Sequence, residues 1–291
     1  MKKMTALLNP QLESFIAVAK HKSVHAAARA THISQTAITQ RILNLEQRLQ
    51  TTLFIRTPHG MQLTSEGEKL LRYCHTVVDF SQETISELTN SGIHTIQRVK
   101  ISGPTSIMVS RIIPSCNLLM KKFPQLYFSF DINDTNKVID ALRTGESQFS
   151  IVELEEVTRD MKSKRLLAEE YLLVCTSHWK KRKLLEILQS ERIIDFDETD
   201  PMTMNYLKKF DLFDYAQSDR LFVNRTESLI KLVCDGYGYG VLTKEFSRSF
   251  LKNKQLIALN SGRTFDHPLH LAWYTRPEPP TYFQAIINAI T

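Results

Sequence analysis

Between residues 23 and 49 two helical patterns are separated by a break of three residues, and that spacing restricts what this part of the chain can become. Ser34 is a strong helix N-cap type, and after it Ala37, Ile38, Ile42, Leu45 and Leu49 recur at steps of one, three and four. Before it, Ser23 is placed to cap a short alanine-rich helix, Val24-His25-Ala26-Ala27-Ala28-Arg29-Ala30, whose small side chains let a second helix approach closely. With only Thr31-His32-Ile33 between them, the two patterns have the spacing of a helix-turn-helix. Upstream, Leu12, Phe15, Ile16 and Val18-Ala19 predict a further amphipathic helix. Downstream, Leu53-Phe54-Ile55-Arg56 and Gly60-Met61-Gln62-Leu63-Thr64 flank Thr57-Pro58-His59 and predict a hairpin, or wing, with Arg56 and His59 near its tip.

Opposite the apolar stripe of the second helix stand Gln35, Thr36, Thr39, Gln40 and Arg41. Gln pairs with adenine N6/N7, Arg with guanine O6/N7, and a Thr methyl can touch the thymine methyl, so this face is chemically able to read base edges in a DNA groove. An ordinary amphipathic surface helix has the same pattern, and the charge distribution bears on the choice. The chain carries 37 Lys and Arg against 31 Asp and Glu, a net charge of +6. Residues 1–64 hold eight of the basic residues and two of the acidic ones, Glu13 and Glu46, so the whole excess lies there and the remainder is balanced. A localised excess is the footprint of phosphate binding, its alternative being a solvated basic face. Gln35, Thr36, Thr39 and Arg41 are the candidate base contacts. Lys22, Ser23, Arg56 and Thr64 are candidates for phosphate contacts that set register without reading sequence.

At 291 residues, 42% hydrophobic and 23% charged, the chain has the composition of a soluble protein of two or three domains. Its longest apolar runs, such as Tyr171-Leu172-Leu173-Val174-Cys175, are too short to span a bilayer, and the first ten residues lack a secretory apolar region, so a cytoplasmic location is expected. Cys74, Cys116, Cys175 and Cys234 are scattered without metal-ligand spacing; buried reduced thiols are the first reading and a redox-sensing pair the second. No metal or cofactor is expected.

From Ser65 to Asn90 the pattern is one long helix on which Leu71, Cys74, Val78, Ser81, Ile85 and Leu88 follow steps of three and four. Such a seam requires cover, either by the chain's own body or, the favoured expectation, by a second copy. Pairing would give a dimer with two heads for two half-sites.

After Asn90-Ser91-Gly92, short β runs alternate with helical patterns, which predicts βαβ units with mostly parallel sheets. Strands are expected at Val99–Ser102, Tyr127–Ile132, Phe149–Val152, Tyr171–Thr176, Arg192–Phe196, Leu221–Val223, Gly240–Leu242 and Leu269–Trp273. Helices are expected after Gly103 to Phe123, and at Asn136–Arg143, Trp179–Gln189, Met202–Phe210, Thr226–Cys234, Lys244–Lys252 and Pro280–Ile290. Two α/β lobes joined by crossovers near Ala168 and Thr264 would form a hinged cleft. Loops at the carboxyl ends of parallel strands, where helix N-termini offer free N–H groups, would face that cleft. They carry Ser102, Thr105 and Ser106, then Asp134 and Thr135, then Thr226, Glu227 and Ser228. Hydroxyls and backbone amides suit an acidic head group, and Asp134 or Glu227 an ammonium; Ser106, Thr135 and Thr226 also fit as simple helix caps. Asp195, Asp197, Glu198 and Asp200 read as a solvated loop rather than an acid/base or metal site, having no nearby His. Gly236-Tyr237-Gly238-Tyr239-Gly240 follows a helix and precedes a strand, the reverse of a phosphate-binding glycine loop.

Residues 10–64, with Ala26-Ala27-Ala28, Ser34-Gln35-Thr36-Ala37-Ile38-Thr39, Leu45-Glu46, Leu53-Phe54-Ile55-Arg56 and the following Leu63-Thr64-Ser65-Glu66-Gly67, resemble the amino-terminal signature of LysR-type transcriptional regulators. The resemblance implies an α+β multi-domain chain: a winged helix-turn-helix over 1–64, a dimerising linker helix over 65–92, and a periplasmic-binding-protein-like effector domain. The lobes of that domain would be 93–167 with 265–291, and 168–264. It also implies double-stranded operator DNA, a small-molecule effector, further copies of the chain in dimers or tetramers, and RNA polymerase as partners. Thr36 departs from the Pro or Ser usual there, so base contacts at that position do not carry over directly; Thr39 keeps a hydroxyl where Ser is common. Asp195-Phe196-Asp197, Phe210-Asp211-Leu212, Val223-Asn224-Arg225-Thr226-Glu227-Ser228 and Ala272-Trp273-Tyr274 are similar to the branch that senses lysine or arginine and controls a basic amino-acid exporter. The competing expectation is an α/β solute-binding or enzymatic protein with an appended basic domain.

Overall fold

The computed structural model describes residues 9–88, 96–134, 137–276 and 279–291, the stretch 82–88 as helix backbone alone. The expected break at Asn90-Ser91-Gly92 and the candidate Thr135 lie outside the described residues. The chain divides into two compact units, one made of residues up to Ser102, Met120–Asp131 and a stretch ending at Ser150, the other of Gly103–Leu119, Ile132–Asp134 and residues from Ile151 onward.

The first unit begins with α1 (Pro10–His21), α2 (Val24–Thr31) and α3 (Gln35–Leu49). Each helix starts where the sequence supplies a side-chain acceptor for an otherwise orphaned N–H. Asn9 Oδ1 accepts from Gln11 N at 2.8 Å, Ser23 Oγ from Ala26 N at 3.3 Å and Ser34 Oγ from Ala37 N at 3.1 Å. The chain then turns sharply, with Lys22 and His32 in the left-handed region at φ 50° and 59°. Phe15, Val18, Ala27, Ile38 and Leu45 are fully buried between the three helices. The wing, β1 (Phe54–Thr57) and β2 (Gly60–Leu63), is antiparallel with Thr57 opposite Gly60, and Phe54 packs its ring 5.2 Å from that of Phe15. Gly60 has φ +113°, and a Cβ there would lie 2.3 Å from the carbonyl oxygen of Lys22, so only glycine fits. That oxygen also accepts from Met61 N at 2.8 Å and moors the wing to the α1–α2 corner.

α4 (Ser65–Leu88) continues from the wing. Its expected seam does not wait for a second copy: Leu71 and Cys74 join the core around Phe15, and Val78 and Ser81 are buried as well. Beside them Arg72 Nη1 donates to Arg143 O at 2.7 Å, and Gly145, at φ +76°, passes so near that a Cβ would come within 2.9 Å of Arg72 Cα. Among the described residues of α4, the large apolar side chains that are exposed are Tyr73 (57%) and Phe80 (61%), seven residues apart. The side chains of Ile85 and Leu88 lie outside the described residues.

β3 (Gln97–Gly103) leads to a helical run in three pieces: α5 (Thr105–Ile107), a π turn at Met108–Ile112, and α6 (Ile113–Lys122). At the widened turn the ladder leaves its four-residue step, and Pro114, next in line, has no N–H to offer. Ile113 N donates instead to Met108 O, five residues back. β4 (Leu126–Ile132), α7 (Lys137–Arg143) and β5 (Phe149–Val152) follow. In the first unit β3 lies between β4 and the start of β5, parallel to the latter with Ile101 opposite Phe149.

In the second unit the end of β5 is followed across its sheet by β13 (His270–Tyr274) and β6 (Met161–Arg165). Between these two in sequence lie β7 (Glu169–Thr176), α8 (Leu184–Ser190), β8 (Ile193–Asp195), α9 (Met202–Lys209), β9 (Arg220–Phe222), α10 (Thr226–Cys234), β10 (Gly240–Thr243), α11 (Lys244–Lys252), β11 (Leu256–Ala258) and β12 (Thr264–His267). α12 (Thr281–Ala289) ends the chain. The expectation of mostly parallel sheets is corrected here. β8 and β9 are parallel, but β7 pairs antiparallel with β10, β11 and β12, and β13 antiparallel with β6. The reason is that β6 runs on into β7 through Leu166–Ala168 while β12 runs on into β13 through Pro268 and Leu269. One long antiparallel pair thus serves both sheets, with Leu166 N donating to Leu269 O at 2.9 Å. The helix expected from Trp179 begins only at Leu184, since Thr176 caps a short 3-10 turn over Ser177–Trp179 first.

Candidate nucleic-acid interface and ligand site

At the start of α3 the side chains of Gln35 and Thr36 are exposed, and Thr39, one turn on, is half-buried. Lys22 at the α1–α2 corner and Arg56 on the wing are exposed too. The other candidates are engaged within the fold. Arg41 turns back toward α1, where its Nη1 donates to Ser14 Oγ at 3.3 Å. Ser23 Oγ is occupied as the α2 cap, and Thr64 Oγ1 donates to Thr52 O at 2.7 Å while accepting from Gly67 N at 3.0 Å. Gln40 donates to Asn44 on its own helix at 2.8 Å. A group that the pattern of α3 did not reveal completes this face: His25, Arg29 and His32 are exposed and, with Gln35, line an open concavity of about 500 Å³. The available signal was the spacing of His25 and Arg29, which at i and i+4 share one face of α2.

In the second unit the backbone N of Thr105 and its Oγ1 each donate to the Asp134 carboxylate at 2.6 Å, so Asp134 caps α5 from another loop. Ser106 is no cap: its Oγ donates to Glu169 Oε1 at 2.5 Å, and Tyr171 OH donates to Glu169 Oε2 at 3.3 Å. Glu169 is 1% exposed. Burial pushes its carboxyl above the usual carboxylate range, against the opposing pull of Ser106, the Arg111 charge and Tyr171. Carried by the π turn, Arg111 Nε donates to both oxygens of Glu245 at 2.9 and 2.8 Å, its Nη2 to Ala168 O at 3.0 Å and its Nη1 to Leu167 O. Glu169 was missed by sequence reasoning, although strand alternation from Tyr171 puts the two on one face. In the first unit Ser102 is buried and its hydroxyl is bonded to that of Ser147. Thr226 is half-buried in the first turn of α10, with Glu227 and Ser228 exposed beside it; its cap position, Arg225, makes no side-chain cap bond.

The carboxylate run at 195–200 is not uniformly solvated. Asp195 is 1% exposed and pairs with Arg220 at 2.6 Å, because it ends a buried strand. Asp197 instead closes its own loop by accepting from Thr199 N at 2.7 Å. The glycines from Gly236 connect α10 to β10. Burial drives the thiols of Cys74, Cys116 and Cys175 up to about 12, which keeps them protonated. Among the described residues no group of His, Cys, Asp or Glu is placed to hold a metal ion, and no helix is long and apolar enough to cross a membrane.

Residues 10–68 match the bacterial regulatory helix-turn-helix family of LysR type, and residues 94–291 match the LysR substrate binding domain. The uncharacterized HTH-type transcriptional regulator YfeR of Shigella flexneri is 25% identical over 166 residues, 57% of this chain and 54% of that protein, so the chain spans little more than half of that relative. The probable HTH-type transcriptional regulator SinR of Salmonella typhimurium is 24% identical over 295 residues, 95% of this chain and 90% of that one. Among solved structures, ArgP from Mycobacterium tuberculosis aligns with a TM-score of 0.76 at 21% identity, covering 97% of this chain and 96% of the other. Full-length LysG from Corynebacterium glutamicum with bound effector Arg aligns at 0.74 and 18% identity with the same coverage. These two likenesses establish the fold: a helix-turn-helix head followed by a two-lobed α/β substrate-binding domain. With both parts matched, the enzymatic alternative falls away and the chain belongs to the LysR family of bacterial transcriptional regulators.

Proposed function

We propose that this regulator reads an operator through the start of α3 and responds to a basic amino acid held near the start of α5. Gln35, Thr36 and Thr39 enter the major groove, while Lys22 and Arg56 hold phosphates on either side. Arg41, Ser23 and Thr64 act at one remove, by fixing the corner and the wing. The observation that carries the DNA reading is that Gln35 and Thr36 stand exposed at the N-terminal end of α3 above an apolar core, with the basic wing moored alongside.

For the effector, hydroxyls and carboxylates gather where the helical run begins: Thr105, Ser106, Asp134 and the buried Glu169. Asp134 and Glu169 suit an ammonium or guanidinium. The Arg bound to LysG supports a ligand of that class. Thr226, Glu227 and Ser228, which open α10, form the opposite wall, and Ser102 supports β3 from within. Head, linker and lobes follow the divisions 1–64, 65–92, 93–167 with 265–291, and 168–264. Copies pair through α4 by way of Tyr73 and Phe80, and ligand binding shifts the spacing of paired heads as presented to DNA and RNA polymerase.

Two measurements test this reading. Binding to DNA from upstream of its own gene, followed in rising salt, should fall steeply yet keep a sequence preference; equal affinity for random DNA overturns the operator reading. In a thermal-shift screen of amino acids, lysine and arginine should raise Tm and glutamate should not; the opposite order overturns the effector class.

A further inference from the structure

Gln35 does not project freely. Its amide Nε2 lies 2.6 Å from His25 Nδ1 on the preceding helix, at the rim of the concavity that Arg29 and His32 also line. An amide NH2 only donates, so this contact is a hydrogen bond in the ring tautomer whose Nδ1 is bare and accepts. One amide N–H is thereby committed to α2, and the other N–H and Oε1 remain for a partner. An adenine edge asks for an acceptor and a donor side by side in one order, and a glutamine amide that is free to flip offers either order. Held by His25, the amide offers one. Gln40 is restrained only by Asn44 of its own helix, so among the α3 amides Gln35 alone has its orientation tied to α2.

We infer that His25 is a positioning residue for base recognition: it fixes the amide of Gln35 and so helps to set operator specificity without itself touching a base. This rests on the reading of Gln35 as a base contact. Arg29 supplies charge to the same concavity, and the competing role for His25 is that of one more phosphate neighbour.

The test uses the full-length protein and the duplex it selects from a randomised pool, with single-base-pair variants of that duplex, all at one salt concentration. His25→Ala should reduce discrimination at the base pair read by Gln35 on the order of fivefold, near the low end of what one base-edge pair contributes. Its affinity for unselected DNA and the salt slope should not change. His25→Asn should restore discrimination, because its Oδ1 occupies the place of Nδ1. In a Gln35→Ala background His25→Ala should have no further effect on discrimination. A uniform loss on every duplex with a shallower salt slope would overturn positioning in favour of phosphate contact. Discrimination lost in Gln35→Ala but intact in His25→Ala would overturn the positioning alone; discrimination intact in Gln35→Ala would overturn the base-contact reading itself. His25 is exposed, so Tm should hold; were it to fall, the comparison of His25→Asn with the parent chain, with and without Gln35→Ala, decides.

Discussion

In α1–α3 the polar groups of interest stand outside a core in which Ser14 is the one buried polar side chain among the described residues, whereas around α5 and β7 they are packed inside. Each arrangement fails in its own way. The head is held by shape, so its surface can change with little cost to folding while a hole in the core disrupts it. The second region is held by Thr105, Asp134, Ser106, Glu169, Arg111 and Glu245 bonding to one another. Removing one member there leaves another polar group short of a partner, and low dielectric magnifies that loss.

The widest contrast should come from Phe15→Ala, which empties the centre of the head and should cost about 3–5 kcal/mol. Denaturant unfolding should show that loss together with loss of DNA binding; a smaller change would mean that the core readily collapses around the hole. Next, Arg111→Ala severs the paired bonds to Glu245 and those to Leu167 and Ala168, at roughly 2–3 kcal/mol for a charged hydrogen-bonding group. Because Arg111 belongs to the second unit and α3 to the first, DNA affinity without effector should change far less than unfolding free energy. Gln35→Ala should leave stability alone and relax operator preference by about 1–3 kcal/mol, while Arg56→Ala should weaken binding to all sequences and lower the salt slope by about 1. Equal losses on operator and random DNA for Gln35→Ala would remove it from the base contacts.

The smallest effect concerns pH. Burial raises the Glu169 carboxyl in the folded state, so folding favours the protonated form. The stability this group contributes is present below the ordinary glutamate value of about 4.3 and is lost as pH rises through the raised folded value. Glu169→Gln has no proton to lose, so the Tm of the variant relative to its parent should climb across that window and then level off. A difference that stays flat with pH would mean that Ser106, Tyr171 and Arg111 fully compensate the buried charge.

The same contrast explains what could be read from residues alone. The caps at Ser23 and Ser34 and the stripe through Ile38, Ile42 and Leu45 are local signals, and α2, α3 and the wing emerge from them nearly to the residue. α10 and α11 begin and end where their patterns do. β6, by contrast, is Met-Lys-Ser-Lys-Arg, with no apolar alternation; it becomes a strand through pairing with β13, a partner more than a hundred residues away in the chain. β11 and β12 are legible only once β7 is in place between them and β10. On α4 the seam was visible, but not that the head would cover Leu71 and Cys74, because periodicity shows that a face is buried and not what buries it. Glu169 escaped notice for a related reason: its significance lies in Ser106 and Tyr171 meeting it, a coincidence of tertiary structure.

The contact between Gly60 and the Lys22 carbonyl has a metric consequence. Because the wing is anchored to the corner by backbone, the span between the cations Lys22 and Arg56 works like a caliper locked at one setting. Replacing Pro58 or His59 at the hairpin tip would alter how far the protein reaches along a duplex and leave that gauge intact. Any side chain placed at residue 60 would spring the jaws apart.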